Sequence, residues 1–259
     1  MNDFNLSKPR FSYVQNTALN YLIKKSNNIL PIAPDFLLQQ ECCSLQTYQT
    51  HSNITNSDIE YLSKTFGSKD AKTFYWTDKN FGIVFFNDDQ SYYRKRWTFS
   101  HELGHIVLKH YIDFDLSINS TLQDDEFKIL DREADAFASN LLAPNSIIAL
   151  FMLKYGIQKH DITSIYTILR CFFRLSKDAS FYKAKYITQS RNIKFSEIDK
   201  ELIKKYQPHI NSVFHDFPLY AFEALVKTKS AEFDSYRYYI NSKKEPLSIG
   251  DLLFLNLNT

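Results

Sequence analysis

Cysteine is scarce in this chain. There are three in 259 residues: Cys42 and Cys43 side by side, and Cys171 far away. An odd count without a C-x-x-C spacing argues against a disulfide framework and for three reduced thiols. The stretch from Met1 to Arg10 lacks the apolar core of a secretory signal. No apolar run approaches the roughly 18 residues needed to cross a bilayer. Together these absences predict a cytoplasmic protein with no membrane partner. Net charge is also nearly missing: +2 is too small to argue for nucleic-acid or membrane binding. Glycine is sparse beside abundant Asn, Lys, Ile, Tyr and Phe, which reads as base composition rather than function. What is present is 44% hydrophobic composition, ample for a buried core in one or two domains.

The most informative stretch is Arg94-Lys95-Arg96-Trp97-Thr98-Phe99-Ser100-His101-Glu102-Leu103-Gly104-His105, which ends in H-E-x-x-H. On a helix, residues four apart share a face. His101 and His105 therefore aim two imidazole nitrogens at one point, a geometry zinc accepts at roughly 2.0–2.1 Å per nitrogen. Glu102 is one step round the helix. It is poorly placed to join the same ligand set but well placed to act as a general base on a water there. Two histidines and a glutamate are also ordinary polar residues on many helices, so the neighbours matter. Gly104 costs about 1 kcal/mol in a helix relative to alanine, so a helix that keeps it uses the space, for example for close approach of another segment. Leu103, Ile106, Val107 and Leu108 supply the apolar surroundings of a buried helix.

A catalytic zinc takes a third protein ligand. Downstream, Phe127, Leu130, Ala134, Phe137, Ala138 and Leu141 recur at helical spacing, so the segment from about Asp124 to Leu142 reads as an amphipathic helix. Asp131, Glu133 and Asp135 lie on it, and periodicity does not choose cleanly among them. Glu133 has the longer reach.

Four ordered pieces then align with a known pattern. They are Phe81-Gly82-Ile83-Val84-Phe85-Phe86-Asn87, the stretch from Arg94 to His105, Glu133-Ala134-Asp135-Ala136-Phe137-Ala138, and Leu141-Leu142-Ala143-Pro144. In this the chain resembles the ImmA/IrrE family of metallo-endopeptidases. Trp97 stands where the family usually has Phe, Ser100 where it has Ala, and Ala143 where it has Met. The resemblance implies a mainly helical, zincin-like α+β core with a small sheet on the H-E-x-x-H helix. It implies Zn2+ held by His101, His105 and Glu133, with Glu102 as the catalytic base. It also implies a narrow protein substrate, commonly a helix-turn-helix transcriptional repressor.

Elsewhere the readings are plainer. Phe11 to Asn27 and Asp35 to about Cys43 read as helices, separated by Pro31 and Pro34. His51 falls in a polar stretch that reads as a loop. Thr73 to Thr77 and Phe81 to Asn87 read as a hairpin, to which an extended substrate would add as a further strand. Tyr92, Tyr93, His110 and Tyr111 flank the active helix and are candidate oxyanion donors. Arg94 and Arg96 read as ion-pair partners. After Pro144, Ile147 to Tyr155, Ile162 to Phe173 and Lys177 to Tyr186 read as successive helices, with Asp161 as an N-cap. The piece from Phe173 to Ser180 has a helix-turn-helix look. Its basic residues are interleaved with acids and aromatics, which argues against direct DNA binding. The expected organisation is an N-terminal helical segment (1–45), a metallopeptidase core (46–146), a helical module (147–188) and an accessory region (189–259).

Overall fold

The computed structural model describes residues 7–114, 116, 122–190 and 195–242. The chain forms two compact units. The first comprises Met1–Ala18 and Ala33–Ala138, the second Leu19–Ile32 and Ser139–Thr259. Among the described residues the architecture is α+β, mostly helical with a small three-stranded sheet.

The first unit begins in helix α1 (Phe11–Lys25), which contributes residues to both units. Helix α2 (Pro34–Gln40) starts on Pro34, whose fixed φ and missing N–H suit a first helical position. It ends before the stretch read as helical does, because Cys43–Thr47 forms strand β1. Two short polar helices follow, held by their caps. In α3 (Tyr48–Thr55) the Thr47 hydroxyl accepts from the Thr50 amide. In α4 (Ile59–Phe66) Asp58 accepts from Glu60 and Tyr61, and Gly67 at φ 69° closes the helix. His51 therefore lies on a helix, where its ring packs on Phe66 and Phe85. Strands β2 (Ala71–Trp76) and β3 (Phe81–Phe86) form the expected antiparallel hairpin. The sheet order is β1-β3-β2, with β1 parallel to β3 and β2 at one edge. A Cβ at Gly82 would stand 2.9 Å from the Tyr75 ring and 3.0 Å from Cys43 Sγ, so only glycine lets the three strands close here.

Helix α5 (Tyr92–Val107), capped by Ser91, carries H-E-x-x-H and runs against β2. A short α6 (His110–Asp113) follows, then α7 (Asp124–Leu142). Helices α5 and α7 meet at Gly104. A Cβ there would lie 3.1 Å from both Cα and O of Ala134 and 3.2 Å from the Phe137 ring. Leu103, Leu130, Ala134 and Phe137 are fully buried around that crossing.

The second unit packs α8 (Asn145–Lys154), α9 (Ile162–Cys171), α10 (Lys177–Gln189), α11 (Glu197–Asp216) and α12 (Leu219–Ser242). Asp161 caps α9 as expected, accepting from Ser164. Phe151, Tyr155, Phe172, Phe214 and Phe222 form its aromatic core. By length and composition, Asp124–Lys154 is apolar enough to cross a membrane, contrary to the sequence expectation. Pro144 divides it into α7 and α8, and 72% of its most apolar window is buried, as in core helices.

Candidate metal centre

One helical turn places His101 and His105 as their spacing requires, with their Nε2 atoms 3.0 Å apart. The acid that meets them is Asp131. Its Oδ1 lies 3.5 Å from His105 Nε2 and 3.9 Å from His101 Nε2. Four ligands held tetrahedrally at about 2.0–2.1 Å stand roughly 3.3–3.4 Å from one another. The three donor atoms bracket that spacing, and two neutral imidazoles with one carboxylate are a donor set suited to zinc. Among the described residues the cluster holds these three donors, which leaves a coordination position for water or substrate.

Glu133, the acid the resemblance nominates, lies elsewhere. Residues on a helix advance by about 100°, so side chains two apart on α7 point to nearly opposite sides. Asp131 faces the histidine pair, and Glu133 cannot also do so. Its fully buried carboxylate accepts instead from the Arg10 backbone N–H at 2.7 Å, Arg10 Nε at 2.9 Å and Arg10 Nη2 at 2.7 Å. His110 Nε2 is its remaining partner here, at 3.1 Å. Burial alone would raise its pKa, but these hydrogen bonds and the Arg10 charge hold it down at about 2. The long reach that favoured Glu133 is not needed, because the Gly104 crossing brings α7 within a short aspartate's length of the histidines.

Asp135, one turn beyond Asp131, accepts a hydrogen bond from His101 Nδ1 at 2.9 Å. That fixes the His101 tautomer and turns Nε2 toward the cluster. Burial pulls the His101 pKa down, but the Asp135 hydrogen bond and the charges of Asp135, Glu102 and Asp131 outweigh it and raise it to about 9. His105, deeply buried, is driven the other way, to about 3.

Glu102 is buried. Its Oε2 accepts a hydrogen bond from Thr73 Oγ1 on β2 at 2.6 Å. Sequence reasoning did not single out Thr73, although the alternation along β2 places it on the buried face. Of the candidate oxyanion donors, His110 is engaged between His105 and Glu133. Tyr92 is exposed at the start of α5. Tyr111 is buried, stacks on Tyr75 and has its ring centre 6.2 Å from that of His105. Burial raises its pKa well above the ordinary tyrosine value, so it keeps its proton. Arg94 pairs with Asp70 just ahead of β2, and Arg96 is buried with its guanidinium over the Tyr92 ring.

Residues 55–183, about half the chain, match the family model described as the IrrE N-terminal-like domain of peptidases. The chain belongs to this family. The IrrE-like match takes in α5, the hairpin and α7 whole, so every residue of the three-donor cluster lies inside it. It makes this a metallopeptidase-type domain of a generally zinc-dependent family. Comparison with curated proteins and with solved structures returned no match.

Proposed function

We propose that this protein is a zinc-dependent endopeptidase acting on a specific protein partner, such as a helix-turn-helix transcriptional repressor. His101, His105 and Asp131 hold the ion, and Glu102 is the general base. The observation that carries this reading is the convergence of two Nε2 atoms and one aspartate oxygen beside a buried glutamate that is not part of the set. A structural zinc usually has four protein ligands and needs no base. Zinc in such a site supplies Lewis acidity, acidifying water and polarising a carbonyl.

Glu102 does the proton chemistry. The Thr73 hydroxyl occupies one of its oxygens and fixes its plane, leaving the other to take a proton from the attacking water. The same carboxyl then passes the proton to the leaving amine. Strand β2, which carries Thr73, is a sheet edge, so a peptide that added to it as a strand would lie beside Glu102. Partner choice rests on the family resemblance.

Glu102→Gln should retain zinc and lose at least about 100-fold in rate, the usual contribution of a general base. The decisive measurement compares new protein N termini in cells expressing wild type or Glu102→Gln. Wild type alone should generate termini within a helix-turn-helix protein. Identical sets of termini in both would refute the proposal.

A further inference from the structure

His105 is held from behind by a chain of buried hydrogen bonds that ends at the chain's N-terminal segment. Its Nδ1 lies 2.9 Å from His110 Nδ1, and His110 Nε2 lies 3.1 Å from Glu133 Oε2. An ionised carboxylate only accepts, so His110 Nε2 carries a hydrogen and donates it to Glu133. A ring nitrogen that holds a metal presents its lone pair, so a ligating His105 carries its hydrogen on Nδ1, 2.9 Å from His110 Nδ1, which accepts it. The hydrogen between the two rings therefore belongs to His105 Nδ1, and the His105 Nε2 lone pair is left facing His101 and Asp131.

Arg10 meets the Glu133 carboxylate with three donors, one of them its own backbone N–H, so the carboxylate accepts throughout. Arg10 accepts the first bond of α1, from Val14, so the carboxylate also sits at the positive end of that helix. Its guanidinium is 4.9 Å from the Tyr13 ring centre and 5.4 Å from that of Phe114, which limits where it can swing. All of these residues lie in the first unit.

We propose that Arg10, Glu133 and His110 are positioning residues: docking of the N-terminal segment through Arg10 sets the His105 tautomer and thereby the affinity of the site for its metal. This rests on the metal site assigned above. It goes beyond that assignment, because Arg10 lies outside the stretch that matches the family model and in none of the motifs that carry the resemblance. A residue with no metal contact thus governs metal retention, and any factor that lifts the N-terminal segment away would loosen the ion.

The test measures zinc affinity by chelator competition on the full chain, for wild type and for Arg10→Gln, Arg10→Lys, Glu133→Gln, His110→Phe and His101→Ala. Loss of partners behind a ligating histidine typically costs 10- to 100-fold in affinity. That range is expected for Arg10→Gln, Glu133→Gln and His110→Phe. Arg10→Lys, which keeps a cation and the backbone donor, should lie nearer wild type. In parallel, long-range proton–nitrogen NMR of the zinc-free protein should find His105 protonated at Nδ1 in wild type and redistributed in His110→Phe and Glu133→Gln. A purely structural role would lower melting temperatures without moving either readout below the melting transition.

Wild-type affinity in all three variants would overturn the proposal while leaving the metal site intact. So would Glu133→Gln losing zinc as completely as His101→Ala while Arg10→Gln and His110→Phe bind normally, since Glu133 would then be a ligand. Failure of wild type to bind zinc at all would instead overturn the functional reading on which the proposal stands.

Discussion

His101 carries the one proton that a metal must displace. With its pKa raised to about 9, it is an imidazolium at neutral pH in protein stripped of divalent ions. Nδ1–H then points at Asp135 and Nε2–H at His105 Nε2. His105, lowered to about 3, already presents a lone pair and contributes no proton. Zinc must bind neutral imidazole, so binding releases the His101 proton. The sign follows directly: at lower pH more of the stripped protein must be deprotonated before binding. Zinc affinity should rise about tenfold per pH unit below about 9 and level off above it. Competition titrations from pH 6 to 10 would check this, and a slope near zero would mean that His101 is neutral before metal arrives. In Asp135→Asn the acceptor remains but the charge is gone, and the plateau should begin at lower pH.

At the scale of elements, the crossing of α5 and α7 decides which acid can reach the metal. Gly104→Ala is the sharpest probe of it. Alanine improves helix propensity by about 1 kcal/mol. Its Cβ would press on Ala134 backbone atoms at 3.1 Å, which cannot rotate away, so α7 must move. Overpacking of this kind costs about 1–3 kcal/mol. We expect a net loss of stability and a larger loss of zinc affinity, since Asp131 retreats from the histidines. Melting temperature and chelator competition measured together would test this, and unchanged affinity would place the control of Asp131 elsewhere. The same crossing explains what was legible beforehand. Gly104 announced a close approach, and the H-E-x-x-H spacing announced two converging nitrogens. The identity of the third donor was hidden because side-chain reach is informative only once the distance between helices is known. The 131/135 pair, one turn apart, was the available signal. Strand β1 was hidden for another reason. Its parallel partner lies two helices and one strand away in sequence, and Cys-Ser-Leu-Gln-Thr has little strand character of its own. Helices α3 and α4 depend on caps and on packing of Tyr48 and Leu62 rather than on a long apolar stripe.

At the scale of the whole molecule, the family motifs occupy a continuous run of sequence, but the parts that complete the site do not. Strand β1, which covers one side of β3, and Arg10, which neutralises buried Glu133, both precede residue 55, where the family match begins. A fragment of residues 55–183 therefore retains His101, Glu102, His105 and Asp131 but exposes one edge of β3 and leaves the Glu133 charge unpaired. Arg10 is itself partly exposed, so losing it costs less than the about 3–5 kcal/mol of breaking a fully buried pair, but it still leaves a buried carboxylate without its cation. The fragment also loses α11, α12 and the Leu19–Ile32 stretch that the second unit needs; in that stretch Ser26 accepts from Tyr206, and the carbonyl of Ile23 accepts from Lys205. We expect this fragment to be unfolded or aggregated and to bind zinc far more weakly than the full chain, by circular dichroism and chelator competition. The full chain carrying Arg10→Gln keeps β1 and its sheet and should still fall short of wild-type zinc affinity, which separates the contribution of the ion pair from that of the strand. A fragment of 55–183 that melted cooperatively and bound zinc as the full chain does would show that the motif-bearing run is self-sufficient, and that neither β1 nor Arg10 is needed to build the site.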